Sequence, residues 1–557
     1  MPRLNKVIPN QRTGPAPTCT YDPTLRGFFI GAGSERYYIQ QHVSKHGRAL
    51  GYDPIQGEMW FLPEIFWTRV KAMARELRSP GFTEGVTEFT SSLQVEIPHG
   101  WDKVKGVWTT EKGTELRPYQ QDAVRRLLAG SLLLGDDMGL GKTLSTLWAF
   151  ILLLAMNKAK RLVVFVPNED VAHEWVSAYR THIAAVTSQL FIVKSRKYLG
   201  NPASLITLIP YSKIHRADYS AYVRSLCQQE GTVLCMDEAH RVSGADSLQH
   251  RAALEYSHLV QRVWLLTGSE VRDPNLYYGL YKIVNRLGSK SYLTFDTWCK
   301  YYSRGRSWNP ERLKELSVLR KGFAMRRVKE DVCKELPPLT MVMKPVAMHP
   351  LQEQLYKQME RDKEIEIAAS YGVREMSEQH FFTVYLRLMQ LAAHPMLLDE
   401  TRIPSTPKID AILDSLEDVG DQKVLIWSNW PRVIDFIYDQ IKLRLPQLRV
   451  AKAHGGVSKE DRHQAKEALQ AGELDVVVAN PCVWGEGQNL QAASILIYHD
   501  YHPSSTRWEQ SLSRSHRMGQ TKPVTCLLFL HMGSIESKIL GWLREKKKLA
   551  TIITGGR

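Results

Sequence analysis

The segment Asp136-Asp137-Met138-Gly139-Leu140-Gly141-Lys142-Thr143 lies between the apolar run LLLG and the apolar stretch LSTLWAFILLLAM. Strand, glycine-rich turn and helix in that order make a phosphate cradle. Glycine lets backbone N–H groups curl around phosphate oxygens, and the helix start adds the positive end of its dipole. In such a cradle Lys142 reaches the β- and γ-phosphates and the Thr143 hydroxyl binds Mg²⁺. Asp136 stands where the strict G-x-x-x-x-G-K-[ST] form has its first glycine. Further along, Val233-Leu234-Cys235-Met236 delivers Asp237-Glu238-Ala239-His240 to the end of a second apolar run. Asp237 is suited to hold Mg²⁺, usually through water, and Glu238 to polarise an attacking water. Either motif alone can be a structural turn; the two in this order predict a nucleoside-triphosphate hydrolase.

The elements that must hold these residues are legible as short, nearly continuous apolar runs. They are LLLGDD (132–137), RLVVFVP (161–167), LITLIP (205–210), TVLCMDE (232–238) and VWLLTGS (263–269). Runs of this kind mark parallel strands covered on both faces. The alternation resumes with KVLIWSN (423–429), LDVVVAN (474–480) and SILIYHD (494–500). Between the two groups, residues 290–410 are charged and helical in pattern, with little strand signal. The predicted organisation is a flexible arm over 1–25, an aromatic accessory domain over 26–112, an ATP-binding lobe over 113–289, helical protrusions and a linker over 290–410, and a second lobe over 411–557. No repeat with a solenoid period interrupts it.

With 557 residues, 43% hydrophobic and 24% charged, the chain has a globular balance, which excludes a mostly disordered protein. Lys plus Arg number 73 against 58 Asp plus Glu, a net charge of +15 that points to a polyanionic partner, most often nucleic acid. The seven cysteines are scattered without a C-x-x-C pair, so neither a disulfide framework nor a zinc module is expected. His499, His502 and His516 likewise lack ligand-pair spacing. The start of the chain has no apolar signal region, and the longest apolar run, Leu147 to Met156, is too short to span a bilayer. A soluble, intracellular protein is expected.

The motif series resembles helicase superfamily two, and within it the Swi/Snf-type DNA translocases, over roughly residues 116–540. Leu116-Arg117-Pro118-Tyr119-Gln120 looks like that family's adenine-recognition segment, with Gln120 as base reader. Asp136 to Thr143 and Asp237 to His240 are similar to its motifs one and two. Thr267-Gly268-Ser269 sits where the family couples hydrolysis to lobe movement, with Ser269-Glu270 in place of the usual Thr-Pro. Phe323 to Val332 with Glu335-Leu336-Pro337-Pro338, and Leu388-Met389-Gln390-Leu391 with His394-Pro395, resemble its linker features. Gly485-Glu486-Gly487-Gln488-Asn489-Leu490 resembles motif five, with Trp484 and Gln488 as departures, and Gly487 is expected near ATP and the DNA backbone. Gln510, Arg514 and Arg517 look like motif six; the two arginines, a helical turn apart, are expected on one helix face as γ-phosphate fingers.

The resemblance implies an α/β fold of two RecA-like lobes, with ATP and Mg²⁺ in the cleft between them. A helical insert, a small N-terminal α+β domain and a terminal brace helix within Ser534–Leu549 accompany the lobes. It implies a DNA-dependent ATPase, a monomeric motor, that tracks duplex or branched DNA at forks or protein–DNA complexes in replication, recombination or repair. The alternative is a translocase partnered with RNA polymerase, as in some bacterial relatives; a DNA-binding scaffold without catalysis is disfavoured by the intact Lys142, Asp237, Glu238, Arg514 and Arg517 set. At the N-terminus, Gly51-Tyr52-Asp53-Pro54, Glu58 to Pro63 and the stretch from Phe66 to Met73 resemble the HARP-type module of annealing helicases. The short core suggests a bacterial or viral member.

Overall fold

The computed structural model describes residues 15–53, 57–94, 113–183, 190–194, 204–268, 274–287, 293–304, 307–370, 378–398, 405–484 and 490–554. Its contacts divide it into two units: Met1–Asp136 with Lys142–Arg326 and Ala550–Arg557, and Asp137–Gly141 with Arg327–Leu549.

The first unit opens with a four-stranded antiparallel sheet in the order β1–β2–β4–β3, formed by β1 (Thr18–Asp22), β2 (Gly27–Gly31), β3 (Arg48–Asp53) and β4 (Gly57–Pro63). Helix α1 (Arg36–Val43) crosses between β2 and β3, and α2 (Trp67–Leu77) and α3 (Pro80–Ser92) follow β4. β1 lies inside the segment expected to be a loose arm. Its alternating Cys19 and Tyr21 are buried, so it pairs with β2 and packs under α3 despite its polar surroundings. Of the accessory domain's aromatics, Phe28, Trp60, Phe61, Phe66, Trp67 and Phe89 are buried. Trp101 and Trp108 lie outside the described residues.

A charged node ties this module to the rest of its unit. Glu64, fully buried, accepts hydrogen bonds from the Tyr21 hydroxyl (2.5 Å), from Arg26 (2.7 Å) and from the Tyr281 hydroxyl (2.5 Å). Tyr281 belongs to a helix of the ATP-binding lobe, so the accessory domain is not an independent body but part of the same contact unit.

That lobe carries a seven-stranded parallel sheet in the order β13–β5–β10–β9–β6–β8–β7. The strands are β5 (Leu132–Leu134), β6 (Arg161–Val166), β7 (Leu190–Ile192), β8 (Ile206–Pro210), β9 (Thr232–Met236), β10 (Arg262–Leu266) and β13 (Ala324–Met325). Every residue of β5, β6, β8 and β9 is buried, which is why they read as unbroken apolar runs. Helices α4 (Pro118–Ala129), α5 (Lys142–Ala155), α6 (Glu169–His182), α7 (Tyr211–Ile214), α8 (Ala217–Cys227), α9 (Leu248–Ser257) and α10 (Pro274–Val284) complete the α/β lobe. Beyond it come α11 (Phe295–Tyr302), the small hairpin of β11 (Ser303–Arg304) and β12 (Ser307–Trp308), and α12 (Leu313–Leu319).

The second unit has a six-stranded parallel sheet in the order β14–β19–β18–β15–β17–β16. Its strands are β14 (Leu339–Pro345), β15 (Lys423–Trp427), β16 (Val450–Ala453), β17 (Val476–Ala479), β18 (Ala493–Tyr498) and β19 (Val524–Leu530). Its helices are α13 (Lys329–Val332), α14 (Pro350–Ser370), α15 (Glu378–Ala393), α16 (Pro407–Glu417), α17 (Pro431–Arg444), α18 (Lys459–Gln470), α19 (Pro481–Trp484), α20 (Ser505–Leu512) and α21 (Ile535–Thr554). The stretch 290–410, expected as one helical insert, is therefore divided at Arg326 and contains a sheet strand. β14 gave no apolar run because it is an edge strand; Met341 and Met343 are 47% and 40% exposed. α21 covers the expected brace segment.

Inside this unit, the Lys408 ammonium of α16 is fully buried against the Glu536 carboxylate of α21 (2.7 and 2.9 Å), and it also donates to the Ala392 carbonyl (3.0 Å). Glu536 accepts in turn from the His531 backbone (2.9 Å). Around this pair, burial and the Lys408 charge push the His531 imidazole down to about 3, and burial with His499, Arg432 and Lys408 pushes His394 to about 4.

Two stability measurements follow. Glu64→Ala leaves Arg26 without its carboxylate and is expected to cost about 3–5 kcal/mol in urea unfolding; a loss near zero contradicts the node. For His394 and His531, an unfolded imidazole titrates near pH 6.5, so between about pH 6.5 and 4 the unfolded chain binds more protons than the folded one. Stability is thus complete above that window and falls with acidification through it. The urea midpoint should drop between pH 7 and 4.5, and His531→Gln should flatten that dependence; an unchanged slope contradicts the assignment.

Candidate nucleotide site and its partner motifs

Parallel pairing sets the site in the first unit. Leu266 of β10 is in register with Leu134 of β5, and Leu265 with Met236 of β9. The carboxyl ends of these three adjacent strands are therefore level. They present Gly135-Asp136, Asp237-Glu238 and Thr267 along one sheet edge, where open α/β sheets take ligands.

β5 leads into the glycine-rich turn, and α5 begins at Lys142. Gly139 and Gly141 have φ of +87° and +78°, a left-handed backbone in which L side chains are strained, so the turn depends on glycine here. Asp136, the departure from the strict motif, is buried at 2% exposure, and its carbonyl accepts a hydrogen bond from the Lys142 ammonium (2.7 Å). The lysine is thus folded over its own loop. Residues 137–141 group by contact with the second unit, where the Asp137 N–H donates to the Arg327 carbonyl (3.0 Å) and the Asp137 carboxylate accepts from the Lys329 N–H (3.2 Å).

At the end of β9, Asp237 is enclosed by groups that fix its orientation. Its two oxygens accept from the Trp175 indole of α6 (2.8 Å) and from the Glu238 backbone (2.9 Å), and its carbonyl accepts from the Tyr211 hydroxyl (2.8 Å). Burial and the neighbouring Glu238 charge raise the Asp237 carboxyl to about 6, against the pull of Trp175 and Lys142. Two adjacent, part-buried carboxylates favour a cation, so the donor set fits Mg²⁺, with the Thr143 hydroxyl at the start of α5 as the further oxygen.

Glu238 has φ +48° and ψ +49°, a conformation that costs a non-glycine residue about 1–3 kcal/mol and clusters at functional sites. Its carboxylate lies 3.2 Å from His240 Nδ1, which is 3.3 Å from the Thr267 hydroxyl of β10's end. His240 therefore stands between the water-polarising candidate and the segment expected to couple hydrolysis to movement. Ser269 and Glu270 lie outside the described residues. Gln120 is buried in α4, and its side-chain oxygen accepts from the Arg117 N–H (3.1 Å), a helix capping box.

In the second unit, α20 ends at Leu512, so Arg514 and Arg517 are not on a helix face as their spacing suggested; they occupy the turns that follow. The Ser513 hydroxyl takes the Gln510 carbonyl (2.9 Å) as the helix stops, and Gly519 adopts φ +92°. The arginine-bearing turn is pinned from several sides. The Leu490 N–H donates to the Arg514 carbonyl (3.0 Å), the Gln491 amide to the Met518 carbonyl (2.6 Å), and the Gln520 amide to the Gln491 carbonyl (2.9 Å). Lys329 donates to the His516 carbonyl (2.8 Å), and His516 Nε2 meets the Pro337 carbonyl at 2.9 Å. Gln510 is buried.

Gly487 and the rest of 485–489 lie outside the described residues. Trp484, a departure from motif five, is core: it is 2% exposed and its indole donates to the Arg462 carbonyl (3.3 Å). His499 pairs with Asp500 (3.0 Å), which also accepts from Ser428 (2.5 Å) and Asn429, while His502 accepts from the Ser504 N–H (3.0 Å). Among the described residues no helix is long and apolar enough to cross a membrane. Sequence reasoning missed Trp175, Tyr211 and the Gln491–Gln520 brace, whose roles arise only when distant segments meet.

Comparison with known proteins agrees with the motif series. The family model described as SNF2-related domain matches residues 88–397, and that of the helicase conserved C-terminal domain matches 407–519. A probable chromatin-remodeling complex ATPase chain from Oryza sativa subsp. japonica is 26% identical over 75% of this chain and 38% of its own length. An ISWI chromatin-remodeling complex ATPase from Saccharomyces cerevisiae is 25% identical over 79% of this chain and 40% of its own. This chain spans well under half the length of either relative. A solved SWI2/SNF2 ATPase core from Sulfolobus solfataricus in complex with dsDNA is 22% identical, covering 80% of this chain and 94% of that one, with a TM-score of 0.37. Because the SNF2-related model spans more than half of its length, the chain belongs to the SNF2-related family.

Proposed function

We propose that this protein is an ATP-dependent translocase on double-stranded DNA that remodels forks, branched DNA or protein–DNA complexes in replication, recombination or repair. The observation that carries the reading is the shared carboxyl edge of β5, β9 and β10, which gathers Lys142, Asp237, Glu238 and Thr267 around a part-buried, oriented carboxylate. The net charge of +15 supports a polyanionic track.

Bound Mg²⁺–ATP supplies a polarised γ-phosphate and a leaving group. Lys142 would neutralise phosphate charge, and Asp237, held by Trp175, together with Thr143, would provide oxygens for the metal. Glu238 orients water, with His240 passing its state to Thr267. Arg514 and Arg517 act as the charge-stabilising fingers, Gln510 supports them, and Gln120 contacts adenine, as the family motifs imply. Hydrolysis drives stepping along the phosphate backbone without obligatory strand separation.

Three measurements test this reading. Glu238→Gln should abolish turnover while ATP binding persists, and retained hydrolysis removes Glu238 from its role. Trp175→Phe keeps the buried ring but loses the N–H; it should raise the Mg²⁺ concentration for half-maximal ATPase several-fold, and an unchanged Mg²⁺ curve contradicts the positioning of Asp237. With about six phosphate contacts, the log–log salt dependence of duplex binding should have a slope of roughly −5. Displacement of a third strand from a DNA triplex with ATP reports translocation; binding that ignores salt and a triplex that survives ATP contradict the proposal.

A further inference from the structure

The six-stranded sheet of the second unit ends at β14, and the hydrogen bonds at the two ends of that strand fix which way its backbone points. The Val524 N–H donates to the Pro338 carbonyl (3.0 Å) and the Val346 N–H to the Leu530 carbonyl (2.9 Å). Between them the parallel register with β19 runs unbroken from Leu339–Val524 to Pro345–Leu530. Successive residues of such a strand turn their N–H and C=O groups to opposite sides, so Thr340, Val342 and Lys344 face β19. Leu339, Met341 and Met343 face the open edge. Among the described residues no hydrogen bond reaches the backbone of these three.

Proline marks both limits of the open stretch. Pro337 and Pro345 occupy the next outward positions and have no N–H, and the Pro337 carbonyl already meets His516 Nε2 (2.9 Å). Sheet edges are commonly guarded by proline, by lysine or by shortness. The opposite edge of the same sheet is guarded in this way: β16 has four residues, and its Lys452 is tied to Asp435 of α17. β14 has seven residues, and Lys344 turns its backbone inward to β19. The stretch between the two prolines thus has room for a short strand and not for a long one.

The side chains on this edge are apolar. Leu339, Met341 and Met343 share one face of the strand. Leu339 is half-buried, while both methionines are exposed, a flexible apolar type that adapts to varied partners. Arg544 of α21 lies against the same face, its guanidinium donating to the Met343 sulfur (3.4 Å), and exposed Lys344 stands on the other face.

We propose that the open edge of β14 is a protein-docking site that takes a short extended segment of another protein as an added strand. That segment is apolar at the residues opposite Met341 and Met343 and acidic at those between. Main-chain groups supply the pairing, and the methionines receive alternate side chains. Acidic residues suit Lys344 and Arg544. A second copy of this chain is a poor occupant, because two bodies of net charge +15 repel. The inference does not depend on the DNA reading above.

The test is fluorescence anisotropy of a labelled eight-residue peptide in which valine and glutamate alternate, titrated with the full chain. Paired as an added strand, its valines stand opposite Met341 and Met343 and turn their own N–H groups to β14. N-methylation of the valines should weaken binding by about tenfold or more, whereas N-methylation of the glutamates should leave it unchanged. Met341→Pro repeats at one more outward position what Pro337 and Pro345 already do. It should weaken the peptide equally, with the urea midpoint and DNA-free ATPase those of the parent. The exposed Lys344→Glu keeps the test valid if Met341→Pro unfolds: it should weaken the glutamate peptide several-fold and strengthen a lysine counterpart. A parent that binds no peptide, binding that ignores valine methylation, or a folded Met341→Pro that binds like the parent overturns the proposal. Displacement of the peptide by duplex DNA, equal in parent and Met341→Pro, marks a general polyanion contact and also overturns it. Sedimentation that shows a parent dimer lost in Met341→Pro assigns the edge to a second copy and overturns the acidic occupant.

Discussion

The parallel register of β5, β9 and β10 is the constraint on which the nucleotide site depends. Because Leu134 pairs with Leu266 and Met236 with Leu265, Gly135-Asp136, a carboxylate pair and a threonine share one edge. None of these groups is unusual alone. Their effect comes from placing Asp237, part-buried, next to a second carboxylate, an arrangement that a cation would stabilise. Its hydrogen bonds from Trp175 and the Glu238 N–H hold its orientation, which pre-organises the candidate site.

The second unit holds its arginine-bearing turn differently. Arg514 and Arg517 stand on irregular backbone, where helical hydrogen bonds cannot hold them. Side-chain amides substitute: Gln520 and Gln491 satisfy carbonyls of the turn and of its neighbours, and Ser515 bonds the Leu490 carbonyl at 3.2 Å. The unit's interior is itself unusually ionic, with Lys408 and Glu536 buried together. A pair of this kind adds little net stability over an apolar replacement, but removing one partner is costly. It joins α16 to α21 in one arrangement.

Much of this was legible beforehand, for a physical reason. Strands buried on both faces must be apolar throughout, so β5, β6, β8 and β9 are visible in the sequence, and the motifs at their ends are placed with them. Edge strands carry no such requirement, which hides β14 with its exposed methionines and hid β1 within a polar start. Trp175 and Tyr211 were not recognisable as partners of Asp237 because an indole and a phenol in apolar surroundings look like core until the fold brings a carboxylate to them. The spacing of Arg514 and Arg517 suggested a helix, but Ser513, which takes the Gln510 carbonyl, and Gly519, with its left-handed φ, end that geometry. The residue types carried the resemblance; the backbone beneath them did not follow from it.

The central claim is that hydrolysis in this molecule is coupled to duplex DNA. The most direct measurement is steady-state ATP hydrolysis by the full chain with no nucleic acid, with single-stranded DNA, with duplex DNA, with forked DNA and with RNA. Strong stimulation by duplex or forked DNA, above that by single strands, is the predicted result. Stimulation by RNA alone, or the same rate in every condition, contradicts it.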